Sequence, residues 1–276
     1  MTTVFKTAQS RDNIRARYNQ ILGAFPFAQK YVDTAFGRTF VLENGDPGKE
    51  TLILLHGSCS NSAFWFGEIC ALSDRFHVFA ADIIGEAGNS NENRPKLNSD
   101  GYADWLREVL DALGIKKAVV AGNSLGGWLA LKFAAKYPQR VLKLILIAAS
   151  GLSGQSSDLL NKAQNAVAQN DPITVDPALT GASALPQEVM EFINLIISGY
   201  NPITQQLPVL SDGQLEKLNM PVLFIAGKND IMVDTIAAAQ RLGSCIPGAE
   251  IHLLENTGHV VLNALEYMIP FLTQSS

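Results

Sequence analysis

A short apolar run, Ala118 to Ala121, passes directly into Gly122-Asn123-Ser124-Leu125-Gly126-Gly127 and then into a helical pattern. A serine on so tight a strand-to-helix turn sits at a strained backbone position, and glycines must flank it because a Cβ there would strike neighbouring backbone. Its hydroxyl is then exposed at the edge of a sheet. The helix behind it aims unpaired N–H groups and a positive dipole end at the same point, which favours an oxyanion developing there. This is the chemistry of a serine nucleophile attacking a carbonyl. The competing reading is a glycine-rich turn that packs closely or cradles a phosphate. A dinucleotide fingerprint, however, wants glycine where Ser124 stands and an acid at the end of the next strand, and neither is present.

Such a serine needs a base. Of the four histidines, His77 and His252 lie inside predicted strands and His56 precedes Gly57 at a strand end. His259, in a Gly258-His259 loop just after the last strand, has a loop's freedom beside the strand ends. The base in turn needs an orienting carboxylate, and the chain order serine, acid, histidine fits Asp230, which follows Val222 to Ala226 through Gly227-Lys228-Asn229. Asp234 is the rival, but it directly precedes Thr235-Ile236-Ala237, where an N-cap role accounts for it. The end of the previous strand, Ala149-Ser150-Gly151, supplies no acid. Glu255, four residues before His259, fits better as a loop-shaping residue.

The oxyanion needs a second donor. Thr51 to Leu55 ends in His56-Gly57-Ser58, and a loop after this strand can set an N–H opposite the one that follows the nucleophile. The pair is assigned to the Ser58 and Leu125 N–H groups. Cys59 has no basic partner in its own segment, so a thiol nucleophile is disfavoured. Phe64, Trp65, Phe66 and Trp128 read as core rather than substrate wall.

The elements that must hold these residues alternate. Tyr31 to Phe36 and Thr39 to Glu43 read as a hairpin turning at Gly37-Arg38. Thr51 to Leu55, Phe76 to Ala81, Ala118 to Ala121, Val141 to Ala149, Val222 to Ala226 and Glu250 to Leu254 are compact apolar runs, the mark of strands covered on both faces of a parallel sheet. Between them, Tyr102 to Leu113, Leu125 to Tyr137 and Thr235 to Leu242 read as helices ending at Gly114, before Pro138 and at Gly243. Some 70 residues separate the strand ending near Ala149 from the next near Pro221, and within them Ser157 to Gln169 and Gln187 to Ser198 look helical. The expected organisation is therefore an α/β core of residues 1–150 and 217–276 with a small helical cap at 151–216, closing a pocket at the strand ends.

Composition excludes other classes. The chain has 276 residues, 47% of them apolar, which matches a globular protein and rules out disordered and fibrous ones. A net charge of -5 without a cationic block disfavours nucleic acid and anionic membrane surfaces. No window approaches a membrane span, and Met1 to Gln20 lacks the apolar stretch of a signal peptide, so a cytoplasmic protein is expected. Three cysteines with neither CxxC nor a His/Cys cluster argue against a disulfide framework and a metal site. No cofactor is implied, and no oligomeric state.

His56-Gly57, Gly122-x-Ser124-x-Gly126, Asp230 and His259, in that order, resemble the α/β-hydrolase superfamily over nearly the whole chain. The resemblance implies an eight-stranded, mostly parallel sheet flanked by helices, with the helical cap inserted after the sixth strand. Asp82-Ile83-Ile84-Gly85 resembles the superfamily's D-x-x-G segment, and Tyr31 to Val41 the opening hairpin of bacterial carboxylesterase-type members. One segment departs from the pattern: the usual G-x-G-x-S continuation reads Gly85-Glu86-Ala87-Gly88-Asn89-Ser90, one residue longer. Ser124 rules against the aspartate-nucleophile branches, the dehalogenases and epoxide hydrolases.

What the resemblance implies is a cofactor-independent serine hydrolase acting on a small-molecule ester, with lactonases, thioesterases, carbon–carbon bond hydrolases and receptor-like ligand binders as the alternatives. From Gly151 to Leu210 the cap carries Asp158, Asp171, Asp176, Glu188 and Glu191 against a single cation, Lys162. A substrate carboxylate buried beneath it would lack a cationic partner, so a neutral ester is expected.

Overall fold

The computed structural model describes residues 3–158, 161, 165, 177–179, 181 and 185–274. Its centre is an eight-stranded sheet in the order β1-β2-β4-β3-β5-β6-β7-β8. The strands are β1 (Ala28–Thr34), β2 (Gly37–Asn44), β3 (Thr51–Leu55), β4 (His77–Ala81), β5 (Ala118–Asn123), β6 (Val141–Ile147), β7 (Val222–Gly227) and β8 (Glu250–Leu254). The β1–β2 and β2–β4 pairs are antiparallel, and every pairing from β4 through to β8 is parallel. The continuous apolar runs are buried along β4 and β7, as sheets covered by helices on both faces require. Lys143 interrupts β6, yet it is buried, because its Nζ donates to the carbonyls of Phe271, Leu272 and Gln274 and caps the C-terminal end of the last helix.

Helices α2 (Phe66–Leu72), α3 (Gly101–Ala112) and α4 (Leu125–Lys136) follow the third, fourth and fifth strands. Between β6 and β7 come α5 (Gln187–Gly199) and the short α6 (Asp212–Leu215); α7 (Thr235–Cys245) and α8 (Leu265–Thr273) complete the chain. Of the two helices expected in the long insertion, Gln187 to Ser198 corresponds to α5, whereas Ser157 to Gln169 falls mostly outside the described residues. Among the described residues no helix is long and apolar enough to cross a membrane.

Three local expectations are corrected. The hairpin turns at Ala35-Phe36, two residues before Gly37-Arg38, because Thr34 already pairs with Gly37. The Thr34 hydroxyl organises this turn, accepting the Phe36 N–H and donating to the Gly37 carbonyl. Helix α7 runs through Gly243 to Cys245, since a helical glycine weakens a helix by only about 1 kcal/mol and does not terminate it without a left-handed cap.

The third concerns residues 8–22, to which the sequence pattern assigned no element; they form a helix, α1 (Ala8–Leu22). Thr7 caps it by accepting the Ser10 N–H, and it buries only the stripe Ile14, Tyr18 and Leu22. That stripe packs on α5: Tyr18 stacks on Phe192 with ring centroids 6.3 Å apart, and Phe192 stacks in turn on Phe64 at 5.9 Å. Gly199 brings the helices close, for a Cβ there would lie 2.8 Å from Ser10 Cβ. Just ahead of α1, Phe5 pairs with Tyr200 as an antiparallel bridge.

Candidate active site

Ser124 lies between the last residue of β5 and the first of α4, with φ 52° and ψ −110°. A side chain at positive φ is strained, and the surrounding backbone enforces it. Ser124 N–H donates to Ile147 O, and its carbonyl accepts from Trp128 N–H. The flanking glycines are sterically obligatory: a Cβ on Gly122 would lie 2.2 Å from Gly126 O, and one on Gly126 would lie 2.1 Å from Leu55 O. The turn therefore fits only where β5, α4 and the end of β3 converge.

The structure brings Ser124, His259 and Asp230 into one hydrogen-bonded chain. His259 Nε2 is 2.9 Å from Ser124 Oγ, and its Nδ1 is 2.7 Å from Asp230 Oδ2. The Asp230 side chain is fully buried, and its Oδ1 accepts the N–H groups of Met232 and Val233. A carboxylate so held can only accept, so Nδ1 carries the proton and leaves the Nε2 lone pair facing the serine hydroxyl. Asp234 caps α7 instead, accepting the Ala237 N–H at 2.9 Å. Glu255 pairs with Lys228 at the surface. The loop bearing His259 is packed against β7 and the insertion: a Cβ on Gly227 would lie 2.1 Å from Thr257 O, and Val260 N–H donates to Leu179 O.

Leu125 opens α4, so its N–H belongs to the first turn, where no preceding carbonyl is available. Gly57 runs beside the serine: a Cβ there would sit 3.4 Å from Ser124 Cβ. Ser58 follows on the same turn. His56 is buried and shapes this turn. Its Nε2 accepts Ile83 N–H at 2.9 Å, which fixes the proton on Nδ1, and Nδ1 donates to Gly57 O at 2.7 Å. Burial holds the His56 pKa below the ordinary imidazole value. The Cys59 thiol is pushed up to about 12, chiefly by burial and next by the Glu86 carboxyl, so it remains a neutral thiol.

The lengthened segment after β4 is closed by Asp82. Its Oδ1 accepts from Tyr18 OH and Ser62 N–H, and its Oδ2 accepts Asn89 N–H at 2.7 Å. Gly85, at φ +79°, and a tight turn from Gly88 N–H to Glu86 O take up the added residue. This turns the Glu86 side chain inward, where it is 1% exposed. Sequence reasoning gave Glu86 no role, because an acid in a loop ordinarily faces water; the single available signal was the extra residue.

The profile of the alpha/beta hydrolase fold family matches residues 50–179. Carboxylesterase YbfK of Bacillus subtilis (strain 168) is 28% identical over 278 residues, covering 96% of this chain and 93% of that protein. The uncharacterized carboxylesterase nap of the same organism is 30% identical over 255 residues, covering 88% and 85%. The crystal structure of carboxylesterase CesB (YbfK) from Bacillus subtilis matches with a TM-score of 0.81 at 27% identity, over 98% of this chain and 100% of that one. The chain belongs to the α/β-hydrolase fold family, as a member of its bacterial carboxylesterase type.

Proposed function

We propose that this protein hydrolyses small neutral carboxylic esters through a covalent acyl-enzyme. Ser124 Oγ attacks the ester carbonyl while His259 Nε2 takes its proton, and the carbonyl oxygen becomes an oxyanion held by the Ser58 and Leu125 N–H groups. The imidazolium, oriented by Asp230, protonates the departing alkoxide. Water activated by His259 then attacks the acyl-serine, and the acid leaves as Ser124 recovers its proton. The observation that carries this reading is the hydrogen-bonded chain from Asp230 through His259 to a serine at positive φ. Its likeness to the two Bacillus carboxylesterases supports the ester as substrate.

In the same reading, residues 151–216 cap a core of residues 1–150 and 217–276. The contacts of α5 with Phe64 and of Leu179 with the His259 loop support a cap seated over the serine. Neutrality of the substrate is supported by where the cations of the core are spent: Arg94, beside the buried Glu86 carboxyl, donates to the Gly85 and Asn201 carbonyls. Arg107 pairs with Glu108 and Asp111, and Lys132 Nζ donates to the Leu97 and Ser99 carbonyls.

The test is a panel of neutral esters, carbon–carbon hydrolase substrates and lactones, assayed beside labelling with a fluorophosphonate. Ester turnover and labelling in the wild type, both lost in Ser124→Ala, are expected. Undiminished turnover in Ser124→Ala would remove the mechanism. Ligand binding with neither turnover nor labelling would make the protein a receptor-like member.

A further inference from the structure

Two consecutive peptide units flank the Ser58 Cα, and each is pinned by a different buried side chain. The Gly57 carbonyl accepts from His56 Nδ1 at 2.7 Å and from Ser60 Oγ at 2.8 Å. In a trans peptide the N–H points opposite to the C=O, so anchoring Gly57 O turns the Ser58 N–H the other way. On the far side of Ser58, the Cys59 N–H donates to Glu86 Oε2 at 3.3 Å, and Ser58 Oγ donates to the same oxygen at 3.3 Å. Cys59 itself stands at φ 57°, a left-handed conformation that a residue with a Cβ keeps only under restraint. We propose that Glu86 is a positioning residue for the oxyanion hole, its carboxyl oxygen holding the Ser58–Cys59 peptide so that the Ser58 N–H stays aimed at the reacting carbonyl. The inference rests on the serine-esterase reading.

The surroundings of Glu86 fit a fixed anchor. Arg94 opposes it in charge and is itself tied down, donating from Nε to Gly85 O at 2.9 Å and from Nη2 to Asn201 O at 2.6 Å. The ring of Tyr200 lies under the Arg94 guanidinium at 5.3 Å, and the Tyr200 hydroxyl lies beside the carboxyl. Tyr102 and the Cys59 thiol also feel the Glu86 charge. Glu86 Oε1 is buried with no hydrogen-bond partner among the described residues. A buried carboxyl is costly to keep, and this one is directed at the backbone of the turn beside Ser124.

The experiment compares Glu86→Leu, which has no acceptor, with Glu86→Gln, whose amide oxygen can still accept the Cys59 N–H. Steady-state kinetics on a neutral ester are normalised to the serines titratable by fluorophosphonate, so that misfolded enzyme does not count. Binding of a trifluoromethyl ketone is measured alongside; Ser124 Oγ adds to its carbonyl carbon, His259 takes the proton, and the carbonyl oxygen becomes an oxyanion in the hole. Glu86→Leu is expected to lose roughly 10- to 100-fold in kcat, somewhat less than outright removal of an oxyanion donor, with KM little changed and ketone affinity falling in parallel. Glu86→Gln is expected to recover most of that loss. A normalised kcat for Glu86→Leu within about twofold of wild type would overturn the proposal, as would equal losses in the two variants. If Glu86→Leu does not fold, Glu86→Gln decides alone: near-normal kcat and ketone affinity support the acceptor role, and a fall beyond about 30-fold overturns it. Ser124→Ala on the same ester separates the two levels. Loss there with a normal Glu86→Leu removes only this inference, while retained turnover there removes the serine mechanism and the inference together.

Discussion

His259 Nδ1 lies 2.7 Å from Asp230 Oδ2, and the other oxygen of that carboxylate is committed to the N–H groups of Met232 and Val233. The acid is therefore fixed by backbone before it fixes the imidazole. In Asp230→Asn the remaining oxygen can still accept from Met232 and Val233, so the fold is expected to survive. The amide N–H₂, however, would face Nδ1 and favour the wrong tautomer, lowering kcat by up to about 10⁴. Asp234→Ala removes a cap, costing about 1 kcal/mol in stability with turnover retained. Kinetics and urea unfolding on the two variants check this, and the reverse pattern would identify Asp234 as the orienting acid.

The glycines at the elbow make a second contrast. Gly126→Ala would drive a Cβ to within 2.1 Å of Leu55 O and 2.6 Å of His56 O, where backbone must move. A loss of about 3 kcal/mol or more is expected, together with activity, because the end of β3 leads into the Gly57 turn. Gly67, in α2, has nothing within 4 Å of its would-be Cβ. Gly67→Ala is expected to stabilise by up to about 1 kcal/mol with turnover unchanged. Equal effects of the two alanines in denaturant titrations would refute the steric account.

His56 makes stability sensitive to acid. Its folded pKa is held down by burial, so as pH falls below about 6.5 the unfolded chain takes up a proton that the folded one refuses. The stability it contributes is whole above that pH and is lost on acidification towards the folded pKa. His56→Gln is expected to be less stable at pH 8 by about 1–3 kcal/mol, having disturbed the bonds to Ile83 and Gly57, but to show a shallower fall in Tm between pH 6.5 and 5. Parallel Tm profiles for wild type and variant would show that the acid limb belongs to other groups.

Substrate charge gives a fourth test. With Arg94, Arg107 and Lys132 each committed to other partners, an ester bearing a free acyl-side carboxylate finds no free cation among them to offset its desolvation. Neutral short or aromatic esters are expected to show higher kcat/KM than matched carboxylate-bearing ones, at salt concentrations that screen long-range repulsion. A preference for the charged compounds would favour the carbon–carbon hydrolase reading.

Much of this was legible because the information is local. The elbow declares itself within six residues, Gly122 to Gly127, and the buried strands announce themselves as apolar runs. Other features depend on partners far along the chain. Helix α1 has only Ile14, Tyr18 and Leu22 on its buried face, and what completes it is Phe192 and Gly199. Glu86 meets Cys59 and Arg94 only once β3 and β4 are paired and the added residue has bent its loop inward. The hairpin turn shifted because Thr34 supplies through its hydroxyl what Gly37-Arg38 seemed to offer through a flexible backbone.

The docking of residues 4–22 onto α5 also constrains the order in which the protein can assemble on the ribosome. Lys6 N–H needs Gly199 O, Val4 O needs Asn201 N–H, and Tyr18 needs Phe192, all emerging some 180 residues later. At roughly 5–20 residues per second, α1 spends on the order of ten seconds or more without its partner. Nascent chains halted before residue 187 should be cut by protease within residues 4–22, and chains halted well beyond residue 201 should resist; equal sensitivity would contradict this order. A helix synthesised ahead of the sheet is then built in only after six of the eight strands have been made.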